Sequence, residues 1–378
     1  TRGQCLMSVE AMPETSQVPL TDDTTKQLTL IWQEILGVDS ITPDQNYFDL
    51  GGDSSVAVQL FAQIDKTFGV KLPLAALFDA PTINELARVL RREESPTGWS
   101  PLVTIQSSGS RPPFFCIHGA GGTVLIYREL AQRLGPNQPF YGLQAMGLDA
   151  SCPPLTRIED MAAAYTQEIR KKQPHGPYFL GGYCMGGTVA FEVAQQLQAQ
   201  GERVALLALF DTMDWSKIPP ATIWDKCYHA LERLVFHAAN FSRLDRAGKS
   251  QFLREKVEIL RSRLPVWRGM LLASLSKAPR ADESESRLLA KIWRTNDLAC
   301  MNYMPRPYPG IVTDFRPLKQ YRMFDKPDAK WDRLAQGGQR IVVLPTYPAG
   351  MLVEPFVQHL AASLEKVIDD AAGQNGNS

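Results

Sequence analysis

A cysteine with a glycine two positions away on either side is the residue of this chain best placed for covalent chemistry. The motif reads Gly182-Tyr183-Cys184-Met185-Gly186. It follows an apolar run over 178–180 and opens an amphipathic pattern over 188–200, which predicts a strand, a sharp turn and a helix. Flanking glycines allow such a turn because larger side chains would collide there. The turn lifts the thiol above a sheet, where it can act as a nucleophile.

A glycine-rich turn upstream could stabilise negative charge. The apolar run Phe114–Ile117 leads into His118-Gly119-Ala120-Gly121-Gly122. Read as a nucleotide-binding phosphate loop, this segment lacks the Lys-Ser/Thr pair that such loops carry. The segment resembles instead the His-Gly loop of α/β-hydrolases, and that resemblance implies a backbone donor to the oxyanion of an acyl-transfer intermediate.

An acidic residue ends the next predicted strand. The apolar run Val204–Phe210 stops at Asp211, one helix after the cysteine motif. A carboxylate at the end of a strand one helix after the nucleophile fits the chain order nucleophile, acid, histidine of the α/β-hydrolases, which these segments resemble. Asp214 is the nearest substitute, and a helix cap or turn cap is the alternative role for Asp211.

These three segments together resemble the α/β-hydrolases, with Cys184 where serine is usual in the nucleophile elbow. The resemblance implies that Asp211 is the triad acid. It also implies that the backbone N–H groups of Ala120 and Met185 form the oxyanion hole. His118 is then a residue that braces the loop and is not the base.

The sequence departs from this family at the catalytic histidine. The family places it in a loop before a Met-Leu-x-x-Pro stretch, which is present here as residues 351–355. The preceding loop contains no histidine, and Pro348 stands about where one is expected. His229 and His237 are the candidate substitutes, because they lie about two turns apart on one face of a predicted helix.

The cysteine and the missing histidine can be linked chemically. A free thiol ionises near ~8.5, and a helix N-terminus lowers that value. We therefore expect Cys184 to hold a useful thiolate fraction without an imidazole. Attack by water would lack a general base, whose help is worth roughly 10²–10⁴ in rate. An acyl-cysteine stays activated, which favours transfer to an amine, a carbon or a hindered hydroxyl over simple storage of the acyl group.

A separate motif lies near the start of the chain. Phe48-Asp49-Leu50-Gly51-Gly52-Asp53-Ser54 precedes a helical pattern. It resembles the attachment site of peptidyl and acyl carrier proteins, which implies 4'-phosphopantetheine covalently bound to Ser54. A helix N-terminus favours the phosphate of that group. The alternative is that Ser54 is only an N-cap.

The pattern of elements predicts a multidomain chain: a four-helix-bundle carrier domain, then an α/β-hydrolase domain with a doubly wound, mostly parallel sheet. A helical lid interrupts the second domain, because the alternation of strands and helices stops over about 215–304. The predicted segments are a linker 1–20, the carrier domain 21–93, a linker 94–100, the hydrolase domain 101–370 and a tail 371–378. The predicted strands are Leu102–Ile105, Phe114–Ile117, Phe140–Leu143, Tyr178–Leu180, Val204–Phe210, Ile311–Phe315 and Ile341–Leu344.

Composition excludes several classes of function. The 40 basic residues balance the 40 acidic residues, which gives no electrostatic case for nucleic acid or an anionic membrane. No apolar run approaches a membrane span, and no secretion signal is visible. The six cysteines are scattered without metal-ligand spacing, so we expect no metal, reduced thiols and a cytoplasmic location. Because the chain begins with Thr1, we interpret it as a piece of a larger protein.

Residues 20 to 370 therefore resemble the C-terminal carrier–thioesterase pair of a nonribosomal peptide or polyketide synthase. The resemblance implies that an acyl thioester is presented at Ser54, taken onto Cys184 and released by hydrolysis, cyclisation or transfer. The implied partners are upstream synthase modules, a phosphopantetheinyl transferase and the acyl or peptidyl substrate. The alternative is an impaired thioesterase-like domain that docks a carrier or holds a substrate. The fused carrier disfavours a free-standing serine-type esterase.

Overall fold

A computed structural model of the protein describes residues 23–52, 54–70, 72–91, 99–219, 222–246, 249–250, 283–348 and 350–373. The chain divides into two compact units, with the main boundary between Trp99 and Ser100. None of the described helices is long and apolar enough to cross a membrane.

The first unit is the predicted four-helix bundle. Its helices are α1 (Asp23–Leu36), α2 (Ser54–Phe68), α3 (Ala76–Asp79) and α4 (Ile83–Leu90). Leu28, Ile31 and Trp32 recur at helical spacing on α1 and are buried, because one apolar stripe of the helix faces the core. A capping box begins α4, because Thr82 and Glu85 bond reciprocally through their side chains and backbone N–H groups.

The second unit contains a seven-stranded sheet, as the alternating pattern predicts. The strands are β1 (Leu102–Gln106), β2 (Phe114–Ile117), β3 (Phe140–Leu143), β4 (Tyr178–Tyr183), β5 (Val204–Phe210), β6 (Val312–Pro317) and β7 (Gln339–Leu344). Their order is β1-β3-β2-β4-β5-β6-β7. Only β1 runs antiparallel to its neighbour. The carboxyl ends of β2 to β7 therefore meet at one edge of the sheet, where ligands bind in such folds.

Helices cover both faces of this sheet. The helices that cover it are α5 (Arg128–Leu134), α6 (Ile158–Lys172), α7 (Met185–Ala199) and α10 (Val357–Gly373). On one face α6 packs on α7, and on the other α5 packs on α10. The expectation that α7 is amphipathic is wrong, because every residue from Met185 to Gln195 is buried. A helix this buried packs on more than the sheet alone.

The described residues of the connection between β5 and β6 include two long helices. They are α8 (Ile223–Arg243) and α9 (Glu283–Asn302). The end of α9 packs on α7. Tyr303, the residue after α9, donates a hydrogen bond from its hydroxyl to Glu192 of α7 at 2.7 Å. The middle of the predicted lid, residues 251–282, lies outside the described residues.

Candidate active site

Cys184 occupies a strained turn between β4 and α7. Its φ is 55° and its ψ is −119°, a conformation that side chains with a Cβ rarely adopt. The turn is possible because two glycines close it: a Cβ on Gly182 would collide with the Gly186 backbone, and one on Gly186 would collide with the Ile117 carbonyl. Such strain persists only where packing enforces it, and it is typical of functional sites.

Asp211 occupies a second strained turn, at the end of β5. Its φ is 47°, and its N–H donates to the Phe315 carbonyl of β6 at 2.9 Å. The following peptide is fixed as well, because the Trp331 indole N–H donates to the Thr212 carbonyl at 3.0 Å. Asp211 and Cys184 are thus held at the same edge of the sheet.

The nearest substitute acid, Asp214, has a different role. Its carboxylate accepts from the Ser216 N–H at 3.1 Å and from the Ser216 hydroxyl at 2.6 Å. It therefore caps the short 3₁₀ turn Trp215–Lys217.

The Asp211 carboxylate accepts a hydrogen bond from the Gln320 amide. Burial raises the pKa of Asp211 to about 6, against the opposing effect of the Gln320 donor; the charge of Asp314 raises it further. Gln320 lies in the loop after β6, and its own carbonyl accepts from the Tyr321 N–H at 2.8 Å. Sequence reasoning missed Gln320, because a lone glutamine in a loop belongs to no motif.

The Cys184 thiol is held in its protonated form. Burial raises its pKa to about 12, and the negative charges of Asp211 and Asp297 add to the rise, while the Met185 N–H lowers it. Roughly one thiol in 10⁵ is ionised at neutral pH at such a pKa. The expectation of a useful thiolate fraction is therefore wrong: burial and two carboxylates outweigh the helix N-terminus.

His118 is a structural residue, as expected. It is fully buried; its Nδ1 lies 2.7 Å from the Gly119 carbonyl and its Nε2 lies 2.7 Å from the Tyr165 hydroxyl. Burial lowers the pKa of its imidazole to about 4. A second brace comes from the Tyr127 hydroxyl, which donates to the Ile117 carbonyl at 2.5 Å and accepts from the Tyr183 N–H at 3.0 Å.

The lid helix α9 lies over the glycine-rich turn. The Asn296 side-chain amide donates to the Ala120 carbonyl at 2.9 Å. A Cβ on Gly121 would come within 3.3 Å of the Trp293 ring. Asp297 follows one turn after Trp293, and its charge acts on the Cys184 thiol. The lid thus fixes the turn that carries Ala120; the oxyanion role of Ala120 and Met185 remains a prediction.

The loop expected to hold the histidine is anchored to α8 instead. Pro348 is buried, and the Tyr347 N–H donates to the buried Asn240 side chain at 2.9 Å. The Tyr347 ring packs on Phe236 with centroids 4.9 Å apart, and Phe236 stacks on Tyr321 at 5.2 Å. An aromatic cluster therefore joins this loop to the lid.

The substitute histidines belong to α8. The His229 ring lies 4.4 Å from the Tyr321 ring and 5.8 Å from the Phe324 ring. Burial lowers the pKa of its imidazole, and the charged groups that act on it are Arg233 and Glu232. His237, two turns further along, is half-buried. The role of either as a base stays a prediction.

The carrier motif fits its expected prosthetic group. Ser54 is the first residue of α2, so its neighbouring backbone N–H groups can face an anion. Gly51 has a φ of 88°, and a Cβ on Gly52 would collide with the buried Tyr47 ring. The two glycines bring the chain close to this ring immediately before the serine.

Each of the two units matches a known protein family, and each family agrees with the fold of its unit. Residues 26–90 match the phosphopantetheine attachment site family, and residues 112–298 match the thioesterase domain family. The chain belongs to the carrier–thioesterase didomains, and its carrier domain is of the kind that holds 4'-phosphopantetheine covalently.

This chain is similar to parts of two longer synthetases. The malpibaldin synthetase of Mortierella alpina is 39% identical over 224 residues, which cover 58% of this chain and 4% of the synthetase. The nonribosomal peptide synthetase apvA of Aspergillus terreus is 32% identical over 252 residues, covering 65% of this chain and 26% of that protein. The chain thus spans about a quarter or less of either relative.

A solved structure has the same fold. The four-domain nonribosomal peptide synthetase AB3403, in its holo form with AMP and glycine, superposes with a TM-score of 0.55 at 24% identity. The match covers 94% of this chain and 27% of that protein.

Proposed function

We propose that this chain takes an acyl group from a carrier-bound thioester onto Cys184 and passes it to an acceptor, with cyclisation and hydrolysis as the other outcomes. The observation that carries the proposal is Cys184 in a strained turn, with Asp211 in a second strained turn on the neighbouring strand. The same chain contains the carrier domain that supplies such thioesters.

Ser54 is the residue that would hold the phosphopantetheine arm. When attached, that group supplies the thiol on which the acyl chain is carried. Gly51 and Gly52 leave the start of α2 open for the phosphodiester, and the N–H groups of the helix start face its charge. The partners proposed on this basis are upstream synthase modules, a phosphopantetheinyl transferase and the acyl or peptidyl substrate.

Loading of Cys184 needs a proton acceptor, because the thiol is almost fully protonated at neutral pH. We assign that role to Asp211. Its pKa of about 6 leaves it ionised at neutral pH while keeping it close to the operating range of a general base. The proton leaves Cys184 as its sulfur attacks the acyl carbon, and it is returned to the departing thiolate. The N–H groups of Ala120 and Met185 would stabilise the oxyanion.

The second half-reaction favours an acceptor that is bound over free water. A bound acceptor gains from proximity, which is worth up to ~10⁵ M or more in effective concentration. Water has no such advantage, and the histidine that would activate it is replaced by the buried Pro348. The activated acyl-cysteine therefore persists long enough to meet the acceptor.

A second candidate function has its own support. The protonated thiol and the histidine-free loop also fit a module that docks a carrier or holds a substrate without turnover. The strained turn at Cys184 argues against this, since holding a substrate requires no such strain.

Intact-mass spectrometry of the loaded chain tests the proposal. Ser54 is loaded with a model acyl-pantetheine, and the mass of the thioesterase unit is followed after proteolytic separation. We expect an acyl adduct that is labile to neutral hydroxylamine and that maps to Cys184.

The matched control replaces another cysteine. Cys227 is exposed on α8, so Cys227→Ala should load normally and Cys184→Ala should not. Equal adduct in wild type and Cys184→Ala, or no adduct and no product in either, would leave the holding module as the better description.

A further inference from the structure

A cavity of about 470 Å³ opens at the carboxyl ends of β5 and β6. Asp211 and Gln320 lie on its wall, so it begins at the acid of the proposed site. Its volume is within the range of roughly 300–1,000 Å³ of small-molecule sites. The loading of Cys184 from the carrier leaves this space without an assigned occupant.

Four basic side chains line the cavity, namely Arg316, Lys319, Lys326 and Lys330. Arg316 and Lys330 already have carboxylate partners, at 2.6 Å and 3.5 Å. Within the described part of the chain, no carboxylate lies at ion-pair distance from Lys319 or Lys326. Lys319 is thus available to an anionic group of a ligand, and Lys326 lies outside ion-pair distance of Asp225, although the two charges interact.

Part of the cavity wall is apolar. Ile341 and Val343 of the edge strand β7 line it, although 50% and 58% of their surfaces are exposed. They are two residues apart, so both side chains point to the same face of the sheet. Phe324 extends this wall from the loop after β6. An apolar ligand body would cover surface that is otherwise left in contact with water.

We propose that this cavity binds the acyl acceptor, and that the acceptor is an organic carboxylate with an apolar body. Its carboxylate is held by Lys319 and Lys326, its body lies on Ile341 and Val343, and its nucleophilic O–H or N–H end faces Asp211. The inference rests on the proposed function of Cys184 and names the substrate class of its second half-reaction.

The transfer step balances with these groups alone. The acceptor O–H or N–H attacks the carbonyl carbon of acyl-Cys184, and its proton passes to the Asp211 carboxylate. The C–S bond then breaks, and the Cys184 thiolate takes that proton from Asp211. The products are the acylated acceptor and the free thiol, with both side chains returned to their starting forms.

Binding to the full chain tests the cavity independently of any acyl chemistry. The probes are 4-hydroxyphenylacetate and its uncharged amide, compared by titration calorimetry. We expect the carboxylate to bind about tenfold tighter than the amide in wild type, with the difference shrinking at high salt. The double variant Lys319→Met/Lys326→Met should bind the two probes equally.

A lysine elsewhere provides the matched control. Lys366 is exposed on α10 and does not line the cavity, so Lys366→Met should keep the tenfold preference. A second variant, Ile341→Trp, fills the apolar side from an exposed position and should weaken both probes together. Equal binding of the two probes by wild type, or a preference that survives the double lysine change, would overturn the inference.

The same probes separate this inference from the function it rests on. If Cys184 loads but the double lysine variant passes the acyl group to 4-hydroxyphenylacetate as fast as wild type does, the acceptor site is wrong and the acyl-cysteine stands. If the probe binds as expected but Cys184 never loads, the proposed function fails while the anion site remains.

Discussion

Cys184 and Asp211 end neighbouring parallel strands and stand side by side, because the Cys184 N–H donates to the carbonyl of Phe210, the residue before Asp211, at 2.9 Å. Both residues have positive φ, 55° and 47°. The carboxylate charge raises the pKa of the thiol. In the proposed function Asp211 accepts the proton of this thiol, so the rate of acyl transfer should follow the ionisation of Asp211.

The first prediction concerns that pH dependence. Asp211 accepts a proton only as a carboxylate, and its pKa is about 6. Acyl transfer should therefore rise with pH through about 6, and should fall about tenfold per pH unit below it. Single-turnover rates from pH 5 to 8 measure this. Asp211→Asn should abolish this fall in rate at low pH, the acid limb of the profile, and should lower the rate by roughly 10²–10⁴.

An aspartate outside the site serves as the control for this profile. Asp332 is exposed, so Asp332→Asn should reproduce the wild-type curve. An unchanged acid limb in Asp211→Asn would show that another group accepts the proton, and the lid histidines would then be the next to replace.

The second prediction concerns Gln320 as a positioning residue. Its amide donates to the Asp211 carboxylate and lowers the pKa of that group. Gln320→Leu removes the donor, so the midpoint of the acid limb should move upward by about one pH unit. The rate at pH 6 falls, while the rate at pH 8 is largely kept.

A glutamine without a side-chain role provides the comparison. Gln336 is exposed and bonds through its backbone, so Gln336→Leu should leave the midpoint in place. A uniform loss of rate at every pH in Gln320→Leu would mean that the residue supports the fold and does not tune the acid.

The third prediction concerns the lid carboxylate. The charge of Asp297 raises the pKa of the Cys184 thiol. Asp297→Asn should therefore lower that pKa and speed alkylation of Cys184 by iodoacetamide at a fixed pH near 8. The measurement is made with Cys227→Ala in the background, so that an exposed thiol does not compete. Equal alkylation rates with and without Asp297 would place its charge too far from the sulfur to matter.

The sequence allows the strands, the elbow and the carrier helices to be predicted, because each depends on local pattern. Gly182 and Gly186 predict the tight turn, and the run Val204–Phe210 predicts the strand that ends at Asp211. Both turns come from residues within a few positions of each other. The burial of α7 could not be predicted from its own sequence, because part of its surface is covered by α9, which is distant in the chain.

The electrostatics of the site could not be predicted in the same way. The pKa of Cys184 depends on burial and on two carboxylates from separate segments, Asp211 and Asp297. The helix N-terminus alone is visible in the sequence, and it is the smaller effect. Gln320 was missed for the same reason, because its partner is 109 positions away.

The fourth prediction concerns the carrier turn. A Cβ on Gly52 would collide with the buried ring of Tyr47, which packs edge-on against Trp32 at 5.4 Å. Gly52→Ala should therefore destabilise the carrier domain by about 1–3 kcal/mol and slow attachment of phosphopantetheine at Ser54. Thermal unfolding and mass spectrometry of the holo form measure both effects. Glu34→Ala, at an exposed position of α1, should change neither; a normal rate of attachment in Gly52→Ala would show that the ring can move.

The last prediction concerns acid stability and His118. Burial lowers the pKa of this imidazole from 6.5 to about 4. Between these two pH values the imidazole is protonated in the unfolded chain and neutral in the folded chain. The neutral imidazole therefore contributes fully to the free energy of unfolding above about pH 6.5. This contribution is lost as pH falls, and the loss reaches about 3 kcal/mol at pH 4. Urea unfolding from pH 4 to 7 measures the slope. His118→Asn should flatten it, while His359→Asn on α10 should not. An equal slope in wild type and His118→Asn would mean that the imidazole is solvated and that the loop holding Ala120 is open to water.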